Sequence, residues 1–183
     1  MTSAPDMTCV EISKPGGPDV LTPTTRPEPN AGLREVIIKV TAVGVNGPDL
    51  MQRKGLYPPP NGASDLLGLE VAGTVAKVGD GVSDWSVGDP ICGLTNGGGY
   101  AEFVAVDASH CLPIPAGMSA VNAASLPETY FTIWSNIFMT AELSEDEVFL
   151  VHGGAGGLGT TSIQLAKAFG ATVVVTDSPA KRC

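Results

Sequence analysis

The residues with the clearest chemical potential are Gly154, Gly156 and Gly159, spaced Gly-x-Gly-x-x-Gly. A short apolar run, Val148 to His152, leads directly into them. Behind them, Thr160 to Phe169 has a helical pattern in which Ile163, Leu165, Ala166 and Phe169 share a face. Gly170 is placed to end that helix, and Thr172 to Thr176 is a second apolar strand closed by Asp177. The order is strand, glycine turn, helix, strand: one βαβ unit. Gly154 permits the tight turn. Gly156 lacks a Cβ, so a pyrophosphate can approach the backbone. Gly159 lets the helix pack close to the strand. The N–H groups and positive end of the helix then favour the phosphates. Gly154, Ala155, Gly156, Gly157, Leu158 and Gly159 are therefore the predicted dinucleotide cradle, with a purely structural glycine turn as the alternative.

Asp177 lies 18 residues after the last glycine, where an acid can take the ribose hydroxyls of NADH. Ser178, Lys181 and Arg182 follow, and a hydroxyl with basic groups can hold the extra phosphate of NADPH. Both cofactors stay open.

A βαβ unit must be held by more structure. Two parallel strands and one helix cannot cover both faces of a sheet. On that ground the Rossmann pattern, a doubly wound parallel sheet, is only begun here, and the chain reads as cut short. Upstream the pattern differs. Residues 36–45 are a β-branched run, residues 71–79 another, and residues 100–107 alternate after Gly97-Gly98-Gly99. Pro58-Pro59-Pro60-Asn61-Gly62 is a loop. Short strands at short spacing predict a β-barrel-like domain over residues 1–125. Residues 126–183 are the predicted nucleotide-binding part, entered by a helix from Glu128 to Met139 with Pro127 near its start.

The 183 residues carry 19 acidic and 10 basic side chains, a net charge of −9, which argues against nucleic acid or an anionic membrane as partner. Hydrophobic residues are 43% and charged residues 16%, a globular composition rather than a disordered one. Cys9, Cys92, Cys111 and Cys183 are far apart in sequence, which argues against a Cys-x-x-Cys site and a disulfide framework. The N-terminus has no basic and apolar leader, and no apolar run is long enough to span a bilayer, so a cytoplasmic location is expected.

Several stretches stand in the order of a known family: Lys14-Pro-Gly-Gly-Pro-Asp19, Gly44-Val-Asn-Gly-Pro-Asp49, Gln52-Arg-Lys-Gly-Leu-Tyr-Pro-Pro-Pro60, Gly68-Leu-Glu-Val-Ala-Gly73, Gly97-Gly-Gly-Tyr-Ala-Glu102 and Leu126-Pro-Glu-Thr-Tyr-Phe-Thr-Ile-Trp134. From about residue 9 to residue 181 the chain resembles the zeta-crystallin-like NAD(P)H quinone oxidoreductases of the medium-chain dehydrogenase/reductase superfamily. The resemblance implies an α/β protein: a GroES-like β-barrel domain followed by the start of a Rossmann domain. It implies hydride transfer from NADPH or NADH to a small-molecule quinone or conjugated enone, and a homodimer at full length. Asn46 is implied near the nicotinamide or the acceptor oxygen, Tyr57 as a phenol donor to a quinone oxygen, and Thr132 beside the nicotinamide. Asp49 is implied to orient Asn46. Read without the resemblance, Asn46 and Asp49 flank Gly47-Pro48 as a turn with a helix cap, and Tyr57 packs.

The zinc alcohol dehydrogenases of that superfamily have a histidine ligand where this chain has Leu69, and a cysteine ligand near Asn46. With only His110 and His152 in the chain, no metal site is predicted. His152 is expected to be packed or bonded to backbone. The chain departs from the family at Gly47, at Gly88-Asp-Pro-Ile91 and at Asp177, where a small pair is usual. Two alternatives stand beside the quinone reductase. One is a zinc-free enoyl reductase or alcohol dehydrogenase. The other is a non-catalytic, crystallin-like nucleotide binder. The 183-residue chain alone is expected to be inactive.

Overall fold

The computed structural model describes residues 5–178, which fall into two compact units divided between Pro127 and Glu128. The first unit opens with strands β1 (Asp6–Ile12) and β2 (Leu21–Pro27), an antiparallel hairpin turned at Pro18–Val20. β2 contains Pro23 and Pro27, which hide it from a propensity reading. It is an edge strand, where a missing N–H costs nothing. On its other side β1 meets residues 100–102. Val10 N donates to Tyr100 O at 2.9 Å, Glu102 N donates to Thr8 O at 3.0 Å, and Cys9 bridges Ala101.

There follow β3 (Glu35–Val43), α1 (Gly47–Arg53), β4 (Glu70–Val78), β5 (Pro90–Leu94), β6 (Phe103–Asp107), β7 (Cys111–Pro113) and α2 (Ala120–Ala123). The five strands form one antiparallel sheet in the order β6-β3-β4-β5-β7. The strand expected over 100–107 thus starts at Phe103, because residues 100–102 pair with β1 instead. Alternation sorts the side chains. Val36, Ile38, Val71, Val75, Ile91, Val104, Val106 and Cys111 pack on one face. The other carries small residues, Ala72 and Cys92, against Ala123 and Ala124, and their size lets α2 close on the sheet. Register breaks at Ile37/Ile38 and Val40/Ala42 bend β3. Cys9, Cys92 and Cys111 are buried free thiols, and burial pushes the Cys111 thiol up to about 12.

The hairpin is tied to the loop that leads into β4. Arg26 on β2 pairs with Glu11 and makes a bidentate contact with Asp65, at 2.7 and 2.9 Å. The guanidinium holds the Asp65 carboxyl below the usual carboxylate range. A folded value below the unfolded one makes this contribution complete above the unfolded value and lost as pH falls through the folded one. The Asp65 side chain is 69% exposed, so solvent screening keeps the contribution to about 0.5 kcal/mol. We expect Arg26→Ala to remove that part of the acid dependence, measured as urea midpoints on either side of about pH 4. An unchanged acid slope in the variant would show the pair to be inert.

The second unit contains α3 (Pro127–Ile133), which opens at the unit boundary, then a π-helical stretch Trp134–Thr140, β8 (Val148–His152), α4 (Gly157–Ala168) and β9 (Thr172–Thr176). The helix expected over 128–139 is helical throughout but widens from Trp134. Ser135 and Asn136 side chains donate to Thr132 O, at 3.2 and 2.8 Å, and compete with the backbone ladder there. Ala141 N then reaches Asn136 O, five residues back. β8 and β9 are parallel, in register from Val148↔Thr172 to His152↔Thr176. α4 covers the face that carries Val151 and Val175. On the opposite face Val148, Leu150 and Val174 are exposed. Among the described residues no helix is long and apolar enough to cross a membrane.

Candidate functional site

In the first unit the polar chemistry gathers where β3 ends, α1 begins and β4 begins. Asn46 is the N-cap of α1, with extended backbone, and Pro48 follows in the first turn. Asn46 N donates to Asp49 Oδ2 at 2.8 Å, and Asn46 Nδ2 donates to Glu70 Oε1 at 2.8 Å. The other Asp49 oxygen accepts from Gly68 N at 3.1 Å, and the Tyr100 hydroxyl donates to Asp49 Oδ2 at 3.4 Å. Asp49 and Glu70 are 2% and 3% exposed, a burial that carboxylates accept only when hydrogen bonds replace their water. Burial, helped by the Asp49 carboxylate, pushes the Tyr100 phenol well above its ordinary value. Asn46 and Asp49 thus belong to one network. Tyr57 stands apart from it, half exposed in the loop after α1.

In the second unit the glycine turn joins β8 to α4. Gly153 N donates to Thr176 O at 2.8 Å, and Gly156 N donates to Gly153 O at 3.3 Å. The left-handed residue of the turn is Gly153, with φ of 76°, one position before the spaced triplet. The role given to Gly154 therefore changes. A Cβ there would lie 2.1 Å from Val175 Cγ1 of β9, so Gly154 serves packing. A Cβ on Gly159 would lie 2.3 Å from Gly153 O and 2.7 Å from Gly154 Cα, so α4 sits directly on the turn. Gly156 differs from both: a Cβ there would meet nothing nearer than Gly153 O at 3.8 Å. The fold does not need a glycine at 156, whereas an approaching ligand would.

The Asp177 carboxylate folds back on the turn, accepting from Ala155 N and Ser178 N, each at 2.7 Å. Gly157, Leu158 and Gly159 form the first turn of α4, whose N–H groups have no partner within the helix. A Cβ on Gly157 would come 3.3 Å from Thr129 Cγ2, so α3 passes beside the start of α4. Thr132 is one helical turn beyond Thr129, on the same side of α3. His152 is exposed and its Nδ1 pairs with the Thr176 hydroxyl at 2.6 Å. It is therefore neither packed nor bonded to backbone, because its register partner in β9 supplies a hydroxyl. Lys181 lies outside the described residues.

Residues 32–116 match the alcohol dehydrogenase GroES-like domain family. Quinone oxidoreductase 1 of Escherichia coli is 35% identical over 176 residues, which are 96% of this chain and 54% of that protein. The polyketide synthase GfsB of Streptomyces halstedii is 39% identical over 172 residues, 93% of this chain and 3% of that much larger protein. Among solved structures, the CurK enoyl reductase superposes with a TM-score of 0.85 at 32% identity, covering 96% of this chain and 55% of that one. Over nearly its whole length the chain is therefore similar to quinone oxidoreductases and enoyl reductases, and its first unit carries the GroES-like domain. The chain spans about half the length of the quinone oxidoreductase it matches. The α/β architecture, a GroES-like domain followed by a parallel βαβ unit, is that of these solved relatives.

Two members of the network went unassigned in the sequence. Glu70 was visible only as part of a motif. Its signal is an acid heading the apolar run Val71 to Val75, which demands a buried partner. Tyr100 carried no local signal, because its partner Asp49 is 51 residues away. At the positions where zinc-dependent superfamily members have ligands, this chain presents an alkyl group, Leu69, and an amide, Asn46. Among the described residues no three His, Cys, Asp or Glu side chains converge.

Proposed function

We propose that this chain is the acceptor-binding domain and the first nucleotide-binding segment of a zinc-independent NAD(P)H quinone oxidoreductase. The observation that carries the reading is Gly156: open space surrounds its Cα beside the N–H groups of α4, a cradle that a side chain would fill. The residues present fit a dinucleotide. The turn and first helical turn, 154–159, would hold the pyrophosphate. Asp177 and Ser178 would hold the adenosine ribose, and Thr132 would lie by the nicotinamide ring. The bound cofactor supplies the hydride that reduces the acceptor. A carboxylate at 177 accepts from ribose hydroxyls and repels a 2′-phosphate, so NADH is the favoured partner over NADPH.

What the protein's own residues do is then modest. Negative charge grows on the acceptor oxygen and is delocalised over a conjugated system. Asn46 donates an amide N–H to that oxygen, and Tyr57 donates its phenol. Neither needs a metal. In the whole protein, Asn46→Ala and Tyr57→Phe are each expected to lower turnover of a simple para-quinone by about 10-fold to 100-fold. Cofactor affinity, read by quenching of protein fluorescence, should stay within about twofold, since neither residue touches the phosphates. No quinone turnover by the whole protein with cofactor bound would remove the reading. The similarity to the GfsB polyketide synthase and the CurK enoyl reductase favours a second acceptor class, an α,β-unsaturated thioester. Faster turnover of a crotonyl thioester than of the quinone would select it.

A further inference from the structure

We infer that Glu70 is a positioning residue whose carboxylate dictates which way round the Asn46 carboxamide is held, so that a second Nδ2 hydrogen is presented to the acceptor. The inference deepens the proposed function and rests on it for its activity readout. An amide can be turned about its last bond with little change of shape, so something chemical must choose its orientation. A carboxylate only accepts. Glu70 Oε1, at 2.8 Å, therefore admits the NH2 end of Asn46 and refuses the oxygen. Burial of Glu70 at 3% exposure strengthens that choice, since no water competes.

The carboxylate is itself seated by a vacancy in the side-chain pattern. A Cβ on Gly44 would lie 2.0 Å from Glu70 Oε1 and 2.5 Å from its Cδ, so only glycine at 44 leaves the carboxylate where it is. Gly44 N also donates to Glu70 O at 3.1 Å. The Asn46 backbone is held independently, through Asp49, which reaches Gly68 with its other oxygen. Two buried carboxylates thus hold one residue at two points, main chain and side chain. A capping box asks for the first and for the Asn46 side-chain oxygen to face Asp49 N, but it assigns no partner to the carboxamide nitrogen, which Glu70 supplies.

The test inverts the pair. Glu70→Gln keeps shape and removes the polarity rule, so both amide orientations become possible. The expected result in the whole protein is a kcat about 3-fold to 10-fold lower, with the KM for cofactor within about twofold and an unchanged unfolding midpoint. Asn46→Asp with Glu70→Gln restores a hydrogen bond with donor and acceptor exchanged. That double variant should regain the stability lost by Asn46→Asp alone but not the turnover, because residue 46 then donates nothing. In parallel, nitrogen-15 spectra should show one Asn46 side-chain N–H protected from exchange in the parent and unprotected in Glu70→Ala. Unprotected Asn46 in the parent overturns the inference whatever the activity. Parental kcat in Glu70→Gln, from an enzyme that turns over normally, overturns it and leaves the oxidoreductase reading standing. If the parent shows no turnover, the reductase reading falls and the protection measurement still decides the orientation.

Discussion

Gly159→Ala is expected to weaken nicotinamide cofactor binding by at least about 100-fold and to destabilise the second unit, whereas Gly156→Ala should leave stability unchanged and weaken binding alone. The two glycines belong to one spacing pattern, but their surroundings differ. A methyl on Gly159 meets backbone, Gly153 O at 2.3 Å and Gly154 Cα at 2.7 Å, and backbone cannot rotate away. Relief requires α4 to lift off the turn, which moves its first N–H groups away from the phosphate position. A methyl on Gly156 meets nothing nearer than 3.8 Å, and the backbone there, with φ of −85° and ψ of 169°, is open to alanine. Gly154 is intermediate, since the atom in the way is a Val175 methyl. Thermal unfolding and cofactor titration of the two variants, run in parallel, check this. Full cofactor affinity in Gly156→Ala would mean that the turn is structural only, and the nucleotide reading would fall.

The second large effect lies in the barrel domain. Gly73→Val should cost ~3 kcal/mol or more of stability in the first unit, enough to leave little soluble folded protein. Gly73 is on β4, opposite Val40, beside the register break of β3. A Cβ there would fall 1.9 Å from Lys39 O and 3.2 Å from Ile38 Cγ2. The carbonyl of Lys39 occupies the space that a side chain at 73 would need. Ile38 belongs to the main apolar cluster, so the strand cannot shift without opening the core. Valine is the residue that strand propensity would favour at 73, yet the close approach decides against it. Chemical denaturation of the variant measures the loss, and a midpoint within experimental error of the parent would refute the close approach.

Local pattern and chemistry were enough for the βαβ unit. Apolar runs of strand length, a helical spacing of Ile163, Leu165 and Ala166, and glycines between them all agree over a short span, and local agreement is what a linear reading detects. The strands β3 and β4 were visible for the same reason. β2 was not, because Pro23 and Pro27 are tolerated only at an edge, and edge status is set by which strands pair. The π-helical stretch was also hidden, since it depends on side-chain bonds to Thr132 O that compete weakly with an α ladder.

The site divides along the same line. Glycine spacing alone pointed to a dinucleotide at 154–159, whereas Asn46 was singled out only by the family resemblance, since residue types by themselves read it as a turn with a helix cap. Only the tertiary structure brought Glu70 across 24 residues to the Asn46 carboxamide, Tyr100 to Asp49, and Asp177 back onto Ala155 N. It also separated Gly156, which faces open space, from Gly154 and Gly159, which packing requires. The physical reason is that a buried carboxylate must find its hydrogen-bond donors wherever the packed chain offers them, and sequence distance does not enter that requirement.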